Sequence, residues 1–212
     1  MNELPRLQVE GGHWYRAVPP PAVPVPAVHM PPDLHGQRAI VSGQAGILHD
    51  LRVMGDAQHS PDGTTWLNVV PELDYWRAKI APGSIASPQR VPIADVWIEH
   101  RLPYEPTHGD KATSSTPAGA PDTLLRRLAP QPNHPGARTP VPARTVPHLH
   151  GRRIIQATPL GFAWDLRAVS EPYEADHEIT LNLLSANDYY RWLITGDAPE
   201  VTPSALYLLW TE

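Results

Sequence analysis

The chain has no cysteine, almost no lysine, and no hydrophobic run long enough to cross a membrane. Without cysteine, disulfides, thiol catalysis and thiolate metal ligands are excluded. Only Lys79 and Lys111 among the 17 basic residues are lysine, a skew that is typical of a GC-rich genome. The net charge of −5 disfavours general binding to nucleic acid or to an anionic membrane. No signal-peptide pattern follows Met1, so we expect a cytoplasmic location.

What the chain does have is an internal repeat. Residues 35–52 match residues 150–167 without a gap, and 8 of these 18 positions are identical. Residues 67–80 match residues 181–194, one residue out of step with the first match. Self-similarity of this kind indicates a duplicated structural unit. A lone unit of roughly 70 residues has a marginal hydrophobic core, so two such units gain by packing on each other or on a partner.

The sequence predicts four segments. Residues 1–23 form a Pro-rich extended arm, 24–103 the first repeat unit, 104–139 a Pro/Gly/Ser-rich linker with a short helix near 122–129, and 140–212 the second repeat unit. The proline spacing of the arm favours polyproline II, which suits a spacer or a ligand for an aromatic groove. The linker helix is too short to be stable alone, so it must dock on its own domain or on a partner.

The hydrophobic pattern of each repeat predicts strand, strand, strand, helix, strand. Third strands are predicted at 64–70 and 179–184, and last strands at 93–99 and 205–211. The predicted fold is therefore α+β and β-rich. It consists of two homologous tandem repeats in a pseudo-twofold arrangement, each with about four antiparallel strands and one short helix.

Cap signals bound both predicted helices. Ser185 resembles an N-cap and Pro71 suits a first helical position. Gly196 and Gly83 are the expected stops.

The candidate binding residues are polar residues that recur in both repeats. The Asp and the Arg of the repeated Asp-Leu-Arg motif are two positions apart, which predicts that they share a strand face near the Asn of the next strand. The arginines suit a carboxylate or phosphate ligand. The alternative is an internal salt-bridge network that ties the sheet to the helix. The candidates are Asp50, Arg52, Asn68, Arg77, Asp165, Arg167, Asn182 and Arg191.

The repeated His-Gly pairs at 35–36 and 150–151 favour a turn in which the glycine has a positive φ and the histidine forms a hydrogen bond. The repeated aromatic residues suit stacking on sugars or bases, and they suit hydrophobic cores equally well. These residues are Tyr75, Trp76, Trp97, Tyr189, Tyr190, Trp192 and Trp210.

No metal site, cofactor or catalytic residue is predicted. His148 and His150 have ligand-like spacing, but no cluster supplies the three or four ligands that zinc needs. No nucleophile-elbow, metalloprotease or phosphate-loop motif is present. The recurring Glu99 and Glu212 leave a glycosidase-type carboxylate pair open.

Three functions fit these observations. The first is a non-catalytic interaction or assembly protein, for example in a phage particle or another multi-protein machine, with another protein or copies of itself as partner. The second is a small-ligand or carbohydrate-binding module, or an enzyme, that uses the Asp-Arg-Asn face and the aromatic residues. The third is a nucleic-acid binder, which the negative charge disfavours.

Overall fold

A computed structural model describes residues 6–8, 14–16, 18–44, 46–81, 83, 87–101, 134–158 and 161–212. The predicted linker helix near 122–129 lies outside these residues. The chain divides into two compact units. The N-terminal unit contains Ala22–Arg101 together with residues 134–137, and the C-terminal unit contains Arg138–Glu212 together with the described residues before Ala22.

Near the start of the chain, β1 (Arg6–Gln8) and β2 (Trp14–Arg16) form a two-stranded antiparallel sheet. The N-terminal unit is built from one seven-stranded antiparallel sheet and one helix. Its elements are β3 (Ala22–Pro26), the 3-10 turn η1 (Ala27–His29), β4 (Arg38–Gly43), β5 (Gly46–Val53), β6 (Gln58–His59), β7 (Thr65–Pro71), α1 (Glu72–Ile80), β8 (Gln89–Pro92), the 3-10 turn η2 (Ile93–Asp95) and β9 (Val96–Arg101).

The strand order of this sheet is β3-β9-β4-β5-β7-β6, and β8 pairs with β7 on the side opposite β5 and β6. The run β9-β4-β5-β7-β8 therefore ends in two strands that are consecutive in the chain and joined only by η2. A 3-10 turn of three residues spans about 6 Å. The sheet must therefore curl around its own core.

The C-terminal unit has the same strand order, β10-β16-β11-β12-β14-β13, with β15 paired to β14. Its elements are β10 (Val141–Pro142), η3 (Ala143–Thr145), β11 (Arg153–Thr158), β12 (Gly161–Ala168), β13 (Tyr173–Ala175), β14 (Glu178–Ser185), α2 (Ala186–Thr195), β15 (Thr202–Ala205), η4 (Leu206–Leu208) and β16 (Leu209–Thr211).

Each unit encloses its own hydrophobic core, formed by alternate residues of the strands. In β7, Leu67 and Val69 point inward, while the half-buried Trp66 and Asn68 point outward. The same alternation in β14 buries Leu181 and Leu183. A side chain of this kind contributes about 1.5–3 kcal/mol when it is fully buried. Among the outward residues, Trp66, Asn68 and Asn182 are half-buried, whereas Val70 and Leu184 are buried as well.

The β-rich α+β class and the third strands are confirmed by these elements. The helix caps are confirmed in the C-terminal unit, where Ser185 accepts a hydrogen bond from the backbone N–H of Asp188 and Gly196 has a φ of 81°. In the N-terminal unit Pro71 is the N-cap rather than the first helical residue, and α1 ends at a C-cap on Ala81.

The prediction of about four strands per repeat is wrong, because each sheet has seven. The sequence prediction missed three strands in each unit. β6 and β13 are too short to show alternation, β8 and β15 contain proline, and β3 and β10 lie in Pro-rich sequence. Pro24 and Pro26 are tolerated in β3 because it is an edge strand paired only with β9. The Pro-rich segment is thus a strand from Ala22 onward.

Candidate functional site

The repeated aspartates occupy a backbone bulge. Asp50 has a φ of 59° and Asp165 a φ of 58°, and the strand register shifts beside each of them. Asp is one of the few side chains that tolerate this left-handed conformation. Asp50 is exposed, whereas Arg52 is buried. The two residues therefore differ in exposure, and the shared strand face that their spacing predicts stays a prediction.

Arg52 ties the sheet to the first helix. Its Nε and Nη2 donate to Oε1 of Glu72, at 3.1 and 2.6 Å, and its Nη1 donates to the backbone carbonyl of Gly36 at 2.8 Å. The guanidinium also lies 5.8 Å from the ring centroid of Tyr75 and 5.9 Å from that of Trp76. We call these five residues the Arg52 cluster. Glu72 is buried, so its carboxylate needs such a partner.

Arg167 takes the same position in the C-terminal unit with a different helix partner. Its Nη1 donates to the backbone carbonyl of Gly151 at 3.1 Å, and its Nη2 donates to the Tyr190 hydroxyl at 2.9 Å. The helix position that corresponds to Glu72 is Ala186. The two units therefore hold the repeated arginine with a carboxylate in one case and with a phenol in the other.

The repeated His-Gly pair forms the turn beside the arginine. Gly36 and Gly151 have φ values of 76° and 78°, which confirms the predicted positive φ. A Cβ added to Gly36 would lie 2.7 Å from the Tyr75 hydroxyl oxygen, so a side chain there would force Tyr75 to shift and would also strain the backbone. The Nδ1 atom of His35 accepts a hydrogen bond from the backbone N–H of Gly55 at 2.9 Å.

The other candidates are spread over the outer surface of their units. Arg77 is exposed on α1 and donates to Asp74 one turn earlier, at 3.0 Å, and Arg191 is exposed on α2. Asn68 and Asn182 are half-buried on β7 and β14, and their backbone carbonyls accept hydrogen bonds from the backbone N–H groups of Met54 and Val169, respectively. Whether any of the eight candidates binds a partner stays a prediction.

Several repeated aromatic residues are core residues. Trp76, Trp97, Tyr190 and Trp210 are buried. Of the recurring glutamates, Glu99 is buried across the sheet from Arg38, with 3.8 Å between Nη1 and Oε2. Arg153 and Glu212 occupy the corresponding positions of β11 and the chain end.

An aromatic contact that the sequence comparison missed lies on the outer face of β7 and β8. The guanidinium of Arg90 lies 4.8 Å from the ring centroid of Trp66 and donates to the Ser60 hydroxyl at 3.0 Å. Asn68 is the cross-strand neighbour of Arg90. Trp66 and Arg90 are replaced in the second repeat, so no repeat signal pointed to them.

The first half of β5 is the second feature that the sequence analysis missed. β7 pairs only with residues 51–53 of β5, so residues 46–49 have a strand on one side only in the described part of the chain. We call residues 46–49 the β5 edge. All four are exposed, and Ile47 and Leu48 expose 43% and 49% of their surface. An open strand edge with apolar side chains is a template for pairing with another chain.

The other edges of the same sheet are protected against such pairing. β3 carries Pro24 and Pro26, whose missing N–H groups remove donors from its free edge. β8 carries Arg90 and Pro92, and β6 has only two residues. Charge, proline and shortness are the devices by which proteins protect sheet edges. The β5 edge is short as well, but its four residues include no proline, lysine, arginine, aspartate or glutamate.

His134 lies in the predicted linker but packs on the N-terminal unit. Its ring meets the indole of Trp97 edge-on, with 4.8 Å between centroids, and its Nδ1 accepts from the backbone N–H of Gly136 at 3.0 Å. Its Nε2 is buried and has no hydrogen-bond partner within the described residues. Burial lowers the pKa of His134 below its ordinary 6.5, because the charged ring would lose its hydration.

In the described part of the chain, no group of three or more His, Asp or Glu residues is placed to hold a metal ion. None of the helices described there is long and apolar enough to span a membrane. Comparison with known proteins finds no matching family model, no similar curated protein and no similar solved structure.

Proposed function

We propose that this protein is a non-catalytic interaction or assembly protein whose partner is another protein or a second copy of itself. The observation that carries this proposal is the β5 edge, which exposes Ile47 and Leu48 while the other edges of its sheet are protected. Apolar side chains that a monomer leaves in water are a common mark of an interface. A cytoplasmic multi-protein machine, such as a phage particle in a GC-rich bacterium, is the setting that we infer.

The hydrogen bonds of the repeated arginines support the same proposal. Arg52 and Arg167 donate to backbone carbonyls and to helix side chains of their own units. A ligand-binding arginine would direct its donors toward the ligand. We infer that the Asp-Arg pairs recur because each unit needs them to fold, as expected for a tandem duplication, and the shared strand order favours that origin. The pseudo-twofold arrangement stays a prediction.

The test is affinity purification from the native cells with quantitative mass spectrometry. Three baits are compared: the wild-type chain, Leu48→Lys, and Leu193→Lys. Leu193 is a matched control because it is 51% exposed on α2, in the other unit. We expect a stoichiometric protein partner that Leu48→Lys loses and Leu193→Lys keeps. A retained metabolite or glycan with no protein partner would contradict the proposal.

A carbohydrate-binding function is the second candidate, and the contact of Arg90 with Trp66 favours it. An indole ring beside amide and guanidinium groups offers a stacking face together with hydrogen bonds, and Asn68 supplies the amide. Binding to a glycan array that Trp66→Ala abolishes would support this function. Tyr207→Ala, at an aromatic residue that is 48% exposed in the other unit, is the control.

A further inference from the structure

The β5 edge is suited to pair with itself. We propose that two copies of this chain associate through antiparallel pairing of their β5 edges, centred on Leu48. This inference rests on the proposed function and names the partner as a second copy of the chain.

The backbone of the β5 edge is prepared for one more strand. On its inner side Leu48 pairs with Val41, Ile47 with Ser42, and Gly46 with Gly43. Alternate N–H and C=O groups of an antiparallel strand point to its other side, where the described chain places no strand. Two identical edges related by a twofold axis satisfy these groups mutually, and the resulting contact is closed.

The side chains favour a pairing centred on Leu48. In that register Leu48 lies opposite the partner subunit's Leu48, and Ile47 lies opposite the partner subunit's His49. Asp50 then lies opposite the partner subunit's Gly46, so no two carboxylates face each other, which would be destabilising. A pairing centred on His49 would instead place Leu48 opposite the partner subunit's Asp50. Charge matching therefore favours the register centred on Leu48 over one shifted toward Asp50.

The bulge at Asp50 limits the length of the pairing. Its φ of 59° ends the open edge, and residues 51–53 already pair with β7. The new contact is thus a short ribbon, well below the roughly 1,600 Å² that stable complexes bury. We expect a weak dimer that depends on protein concentration and does not extend into a fibre.

The lack of cysteine makes a direct test possible. In the proposed register the two Leu48 Cα atoms are about 4.5–5.5 Å apart, within the range of a disulfide. Leu48→Cys should therefore form a disulfide-linked dimer under mild oxidation, at a rate at least about tenfold above that of Leu193→Cys. A mixture of Ile47→Cys and His49→Cys chains should cross-link to each other, since these positions face each other across the axis.

Sedimentation velocity over a range of concentrations supplies the second measurement. We expect the wild-type chain and Leu193→Lys to show a concentration-dependent dimer, and Leu48→Lys to remain monomeric with unchanged circular dichroism. Equal cross-linking rates for Leu48→Cys and Leu193→Cys, or a wild-type chain that stays monomeric, would overturn the dimer. If the wild-type chain stays monomeric but Leu48→Lys loses a different protein in the affinity purification, the dimer fails and the proposed function stands. If no protein partner of any kind is found, both fail.

Discussion

The guanidinium of Arg52 donates two hydrogen bonds to Oε1 of Glu72, the first residue of α1, and the second repeat has Ala186 at the position of that carboxylate. In the second repeat the Tyr190 hydroxyl accepts from Arg167 instead. Trp76 is the counterpart of Tyr190. The two units therefore have the same arginine but differ at two helix positions beside it, with Glu72 and Trp76 in one unit and Ala186 and Tyr190 in the other. Each unit is thus a control for the other.

Glu72→Ala should destabilise the protein by about 3–5 kcal/mol, because it leaves the buried Arg52 charge without its carboxylate. Adding Trp76→Tyr should recover part of this loss, since a phenol then stands where Tyr190 accepts from Arg167. Urea unfolding followed by circular dichroism measures both effects. A loss for Glu72→Ala within about 0.5 kcal/mol of wild type, as for ordinary surface changes, would contradict this role.

Asp50→Val should destabilise the protein by about 1–2 kcal/mol more than Asp50→Gly, which is the penalty of a left-handed conformation for a β-branched residue. The same pair of changes at Asp165 should behave alike, since its φ is nearly the same. Thermal unfolding of the four variants tests this prediction. Equal losses for glycine and valine would instead show that the carboxylate itself is needed.

Gly36→Ala should destabilise more than Gly151→Ala, although the two glycines have similar φ values. The added Cβ would lie 2.7 Å from the Tyr75 hydroxyl oxygen in the first case and 3.4 Å from the Tyr189 hydroxyl oxygen in the second. Tyr75→Phe should therefore relieve part of the Gly36→Ala loss, as a double-mutant cycle would reveal. If the effects of Gly36→Ala and Tyr75→Phe on stability were additive, the contact with the Tyr75 hydroxyl would not be the cause of the loss.

His134 should make the stability of the N-terminal unit depend on pH. Burial lowers the pKa of the folded state, so the unfolded chain binds the proton more readily. Above pH 6.5 the neutral His134 ring contributes fully to the free energy of unfolding. This contribution is lost as the pH falls below 6.5 toward the lowered pKa. Protonation of Nδ1 would also break its hydrogen bond from Gly136.

Urea unfolding over a pH series, in wild type and in His134→Phe, measures this dependence. We expect the variant to lose part of the stability decrease below pH 6.5 while its ring still packs on Trp97. His100→Phe, at an exposed histidine of β9, is the control and should keep the wild-type slope. If the free energy of unfolding had the same dependence on pH in all three proteins, His134 would not contribute to that dependence.

Local sequence patterns were enough to predict the third strands and the Ser185 cap, because alternation and capping involve residues that are close in the chain. The repeat itself indicated that the His-Gly turn and the Asp-Leu-Arg motif are under a shared constraint. The sequence also showed that this constraint is compatible with an internal role as well as with binding.

Only the tertiary structure decided what the repeated residues do. Arg52 is buried between the core residues Leu51 and Val53 because its guanidinium binds Glu72 of α1, and no periodicity argument along one strand includes such a helix partner. β3 is a strand because β9, which lies far along the chain, pairs with it. The prolines of β3, considered without β9, indicated only an extended arm. The open β5 edge is likewise defined by where β7 stops pairing, which depends on long-range register rather than on local sequence.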